Sequence, residues 1–149
     1  MDELDKEILK EIQDNFPLSS RPFKVLGEKF GRSEEEVEER IKKLKREKII
    51  SRLGASFASK KVGYESTLVA MKVPPPALEK IANFISCYPE VTHNYERGDD
   101  YNLWFTLIAP SKEEIKRILE EIKAKPEIED VLNLPAINIF KIDVRFHFR

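Results

Sequence analysis

A chain of 149 residues is long enough for one medium domain or two small ones, and it buries a core without disulfide staples. Its 26 Lys and Arg stand against 27 Asp and Glu, so whole-chain charge singles out no nucleic acid, anionic membrane surface or acidic substrate as partner. The one cysteine, Cys87, excludes an internal disulfide and is expected as a buried, inert thiol; no apolar run approaches the roughly 20 residues of a membrane helix, so a soluble cytoplasmic protein with no membrane partner is expected.

From Leu4 the apolar residues Leu4, Ile8, Leu9, Ile12 and Phe16 recur at helical spacing until Pro17, which predicts a first helix. Pro22 suits the first turn of a second, which carries Phe23, Leu26 and Phe30 and stops at Gly31. Ser33 followed by Glu36 is a capping-box signal for a third helix with Val37, Ile41 and Leu44 on its core face. Three short helices and then "IISRLGASF", expected as a strand pair or wing, predict a winged helix-turn-helix.

The pattern changes after the polar link "ASKKVGY". "STLVAMKVP" predicts a strand, and Pro74 to Pro76 open a helix with Leu78, Ile81, Phe84 and Ile85 inside. "VTHNYER" and "YNLWFTLIAP" predict two strands around "GDD". "SKEEIKRILEEIKAKP" is an amphipathic helix capped by Ser111, and "VLNLPAINIFKIDVRF" is extended, with His147 on the surface of the last strand. The order β-α-β-β-α-β is that of a ferredoxin-like unit. The fold class is therefore α+β, with residues 1–60 as the winged helix-turn-helix and 61–149 as the ferredoxin-like domain.

A helix-turn-helix reads bases from the start of its recognition helix. Here that helix begins "SEEEVEER", five glutamates between Glu34 and Glu39, which face a phosphate backbone badly. The basic residues Lys42, Lys43, Lys45 and Arg46 follow late, at spacings that pair with the glutamates. Residues 1–64 hold 15 basic and 13 acidic side chains, no concentrated basic patch. DNA binding is disfavoured.

The hairpin is different. If Gly98-Asp99 is a two-residue turn, Arg97 lies opposite Asp100, Tyr95 opposite Asn102 and His93 opposite Trp104. One face then carries His93, Tyr95, Arg97, Asn102, Trp104 and Thr106, and the other carries the apolar Leu103, Phe105 and Leu107. The apolar face suits packing on the helices, which leaves the polar-aromatic face for something else.

A helix-turn-helix followed by a βαββαβ domain is similar to the Lrp/AsnC family of transcriptional regulators, and Gly98-Asp99-Asp100-Tyr101 resembles that family's effector loop. Four separated blocks, "FPLSSRPF", "ISRLGASF", "GYESTLVAMKVP" and "VTHNYERGDDYNLWFTL", resemble one specialised branch, the siroheme decarboxylases of the alternative haem and haem d1 pathways. The resemblance implies removal of two acetate carboxyl groups from siroheme, giving 12,18-didecarboxysiroheme, in a dimer with a homologous second subunit or a second copy. It implies no cofactor beyond the iron tetrapyrrole itself. The alternative is a DNA-binding regulator of the Lrp/AsnC type.

On that resemblance, His93 serves as proton donor or as axial ligand to the siroheme iron, and Tyr95 as a second candidate proton donor. Arg97 pairs with a substrate carboxylate or forms a hairpin salt bridge with Asp100; Trp104 supplies a flat wall or packs, and Asn102 shares that face. Arg52 and Arg21, in two of the matching blocks, are candidates for further substrate carboxylates or are surface arginines. Neither histidine has a second ligand at zinc-like spacing, so no protein-bound structural metal is expected.

Overall fold

A computed structural model describes residues 1–142 and 144–148. Two compact units make up the chain, Met1–Ala55 together with Lys141–Arg149, and Ser56–Phe140. Where the sequence extends the second domain to residue 149, the sheet unit ends at Phe140.

The helical unit follows its local signals. Helix α1 (Glu3–Asp14) starts with a reciprocal box, in which Asp5 N–H donates to Asp2 Oδ1 at 2.9 Å and Asp2 N–H to Asp5 Oδ2 at 3.0 Å. Helix α2 (Pro22–Phe30) opens on proline and closes on Gly31, whose φ of 64° is the left-handed conformation that favours glycine. Helix α3 (Glu34–Arg46) is capped by the Ser33 hydroxyl, which accepts from Glu36 N–H at 3.1 Å. Ile8, Leu9, Leu26, Val37, Ile41, Leu44 and Ile50 form one apolar core.

No wing forms among the described residues. After α3 the Ile50 amide turns back to the Leu44 carbonyl at 3.1 Å and its side chain enters the core. Residues 51–57 then run on with no strand beside them, and a strand needs a partner for its backbone groups. The strand expected over "DVRFHF" is also absent among the described residues, and Asp143 lies outside them. Instead Phe148 packs on the helical core, and Phe146 N–H donates to Gln13 Oε1 at 2.8 Å. Pro135, with no backbone donor, follows the end of the last strand. His147 is exposed there.

In the sheet unit, β1 (Glu65–Lys72), β2 (Val91–Glu96), β3 (Leu103–Ala109) and β4 (Asp130–Leu134) form a sheet of order β2-β3-β1-β4 with every neighbouring pair antiparallel. This is the expected βαββαβ topology, with α4 (Leu78–Ser86) and α5 (Lys112–Lys123) as the helices. Val69, Met71, Phe105 and Leu107 face Ile81, Ile85, Ile118 and Ile122 in its core. Cys87, expected buried, is exposed, because it follows α4 beyond the stripe of Ile81 and Ile85. The other sheet face leaves Tyr95, Leu68, Leu132 and Leu134 exposed. Among the described residues no helix is long and apolar enough to cross a membrane.

Candidate functional site

The hairpin differs from the expected turn by two residues. Tyr95 pairs with Trp104, Asn94 with Phe105 and His93 with Thr106, and Arg97 N–H donates to the Asn102 carbonyl at 2.8 Å. The connection is therefore Gly98 to Tyr101 rather than Gly98-Asp99. A two-residue hairpin turn of the favoured kinds needs positive φ in its centre, and neither Gly98 nor Asp99 has it. Because strand side chains alternate with period two, a shift of two leaves every face unchanged. Leu103, Phe105 and Leu107 are buried, while His93 and Tyr95 are exposed and Trp104 half-buried.

The register also breaks between Val91 and His93. Val91 pairs with Leu107 and packs on the core, while His93 pairs with Thr106 on the opposite face. A bulge at Thr92 thus turns Val91 into the core, while His93 keeps the outward face it shares with Tyr95.

On this outward face the His93 and Tyr95 rings stack at 6.0 Å between centroids with planes 26° apart. Trp104 stands directly across from Tyr95, and the Arg97 guanidinium lies 5.4 Å from the indole centroid, within cation–π reach. Arg97 makes no salt bridge with Asp100 among the described residues. Thr92 Oγ1 is 3.1 Å from His93 Nδ1, and the opposite nitrogen, Nε2, is the one left for a ligand or a proton. Among the described residues no three His, Cys, Asp or Glu side chains gather as a metal site.

Asn102 bonds to the backbone of Val73. Its Oδ1 accepts from Val73 N–H at 3.0 Å and its Nδ2 donates to the Val73 carbonyl at 2.7 Å. Both halves of the amide thereby help to join the loop to the end of β1. Tyr101 was not singled out by the sequence. Its hydroxyl donates to Asp130 Oδ2 at 2.5 Å, and its carbonyl accepts from Trp104 Nε1 at 2.6 Å. That hydrogen bond raises the Tyr101 phenol and holds the Asp130 carboxyl below its ordinary range. Only the "GDDY" motif hinted at Tyr101; its partner lies 29 residues away.

The two other arginines lie in the helical unit. Arg21 is hydrogen-bonded and ion-paired with Glu34 at the start of α3, which raises its pKa and engages its guanidinium. Arg52 donates through Nη2 to the Ala55 carbonyl at 3.1 Å. Along α3, Lys42 pairs with Glu38 and Glu39, Lys43 with Glu47, and Arg40 with Glu36 as well as with Asp2 and Asp5. The helix that would enter a major groove neutralises its own charge.

Fold and site together define a chain of the Lrp/AsnC architecture. Residues 61–141 match the AsnC-like ligand binding domain, and residues 5–50 match the siroheme decarboxylase NirDL-like HTH domain. The structure of E. coli AsnC superposes with a TM-score of 0.81 over 97% of each chain at 20% identity, a likeness of fold alone. The chain belongs to the siroheme decarboxylase family. It is 49% identical over 146 residues to the siroheme decarboxylase alpha subunit of Desulfovibrio desulfuricans, covering 98% of this chain and 84% of that protein. It is 36% identical, with a TM-score of 0.66, to the siroheme decarboxylase NirDL crystallised with an iron-uroporphyrin III analogue, covering 96% of this chain and 48% of that one.

Proposed function

We propose that this chain is a subunit of a siroheme decarboxylase, a carbon-carbon lyase that removes the C12 and C18 acetate carboxyl groups of siroheme. The observation that carries the reading is the outward hairpin face, where His93, Tyr95, Trp104 and Arg97 stand together in a chain of this family. The iron-uroporphyrin analogue held by NirDL supports the same ligand class. Because the chain spans 48% of that protein, we take the working assembly to pair it with a homologous second subunit or a second copy.

Each residue has a part set by its chemistry. Tyr95 and Trp104 offer a flat apolar wall to the macrocycle. Arg97, held 5.4 Å from the indole centroid, has N–H groups to donate to a substrate carboxylate. Decarboxylation breaks the bond between the acetate methylene and its carboxyl carbon; CO2 leaves, the electron pair stays on the methylene, and one proton completes a methyl group. His93 Nε2 is the first candidate for that proton and Tyr95 the second; the alternative for His93 is axial ligation of the substrate iron. Asn102 is assigned a structural part, and Arg21 and Arg52 none in the hairpin site.

The test is anaerobic siroheme turnover by the chain alone and with its homologous subunit, followed by the Soret band and by CO2. A shifted Soret band and two CO2 per siroheme are expected; no spectral change in either arrangement overturns the reading. For His93→Ala, lost turnover with retained binding identifies the proton donor, whereas loss of both with an altered iron spectrum identifies the ligand.

A further inference from the structure

We infer that Tyr101 and Asp130 are positioning residues that clasp the Trp104–Arg97 platform to the far edge of the sheet. The inference rests on the hairpin face being the tetrapyrrole site. The connection from Gly98 to Tyr101 is otherwise weakly held: Gly98 has nothing within 4 Å of where a Cβ would sit, and Asp99 bonds only to the neighbouring Asp100 amide among the described residues. Its anchors are Asn102 on Val73 and Tyr101 on Asp130.

The Tyr101 anchor leads directly to the platform. Asp130 belongs to β4, and Tyr101 precedes β3, so the phenol reaches past the end of β1, which lies between them in the sheet. Asp130 is itself fixed, since its Oδ1 accepts from Val131 N–H at 2.8 Å while Oδ2 takes the phenol. The carbonyl of the same tyrosine accepts the indole N–H, and the indole carries Arg97 at 5.4 Å. A movement at Tyr101 therefore reaches the indole through one hydrogen bond and the guanidinium through one further contact. Tyr101 is no member of the sheet unit's apolar core, so its hydroxyl serves the platform rather than the packing.

Trp104 is the only tryptophan in the chain, so its fluorescence reports on the clasp with no label. The experiment compares the full-length chain with Tyr101→Phe, Asp130→Ala, the double variant and Asp130→Asn, which keeps an oxygen acceptor. Acrylamide quenching of Trp104 is measured first in the free protein, then quenching by added iron-uroporphyrin III, with a thermal midpoint for each. Both single variants are expected to raise acrylamide quenching and to weaken porphyrin binding by about three- to ten-fold, as for loss of one charge-assisted hydrogen bond. The double variant is expected to be no worse than the worse single one, because both remove the same bond; Asp130→Asn restores the wild-type quenching. Unchanged acrylamide quenching in the single variants, or additive losses in the double, overturns the inference, as does a lowered thermal midpoint with porphyrin affinity intact. If the free-protein differences appear but wild type binds no porphyrin, either alone or with its homologous subunit, the clasp stands and the tetrapyrrole reading of the face falls.

Discussion

The helical unit and the hairpin of the sheet unit handle polar side chains in opposite ways. In the former, Arg40 is shared among Asp2, Asp5 and Glu36, and Asp5 is 2% exposed; Lys42, Lys43 and Arg21 have glutamate partners too. On the hairpin face of the latter, the Arg97 contact is to an indole, and His93 and Tyr95 stack side by side in the open. Charges that neutralise one another hold a structure together but offer little to a polyanion. Cationic and aromatic groups left facing outward have donors and surface to offer a flat, carboxylate-bearing ligand. The Lrp/AsnC frame is kept, and on the proposed reading the functional weight lies on the sheet rather than on the third helix.

Substitutions on either side can break or sharpen that contrast. The largest effect is expected at His93: His93→Ala in the assembled enzyme lowers siroheme turnover by roughly 10²- to 10⁴-fold if it is the general acid, with the urea midpoint nearly unaltered. Phe105→Ala, directly beneath the site, empties the largest fully buried side chain of the sheet core and costs about 3–5 kcal/mol in urea unfolding. Arg40→Ala strips the buried Asp5 of its cation and costs about 1–3 kcal/mol, while turnover per folded molecule stays at the wild-type value. A large loss of turnover there would erase the contrast between the units.

Asn102→Ala separates a ligand contact from a strap. Loss of both Val73 bonds is expected to cost about 1–2 kcal/mol of stability, and porphyrin affinity measured on the folded fraction is expected to change less than in Arg97→Ala. The smallest effect belongs to pH. The Tyr101 hydroxyl first, and the Val131 amide second, hold the Asp130 carboxyl below its ordinary range. A carboxyl depressed in the folded state adds stability above its unfolded pKa and loses it as pH falls through the folded value. Acid titration of Trp104 emission should therefore show its transition below the ordinary aspartate range, and Tyr101→Phe should move that transition upward.

Much of this was legible residue by residue. Pro22, Gly31, Ser33 and Ser111 mark helix ends through local backbone chemistry, and each acts where its type predicts. The alternation of Leu103, Phe105 and Leu107 marks the buried face of the hairpin, and it survived a misplaced turn because the error was an even number of residues. "IISRLGASF" and "DVRFHF" carry strand-like composition, yet the described residues there form no strand. Composition shows that a segment can be extended; it does not supply the neighbouring strand.

The sequence by itself determined what each short segment prefers: three capped helices, the βαββαβ order, and a hairpin that separates core residues from His93, Tyr95 and Trp104. Those preferences arise within a few residues of chain. Tertiary structure alone decided that a bulge at Thr92 turns Val91 into the core, that Asn102 bonds to the backbone of Val73, that Glu34 takes Arg21, and that Asp130 reaches back to Tyr101. Each depends on a partner brought close only when strands and helices pack, and the choice of partner is made by geometry across the fold.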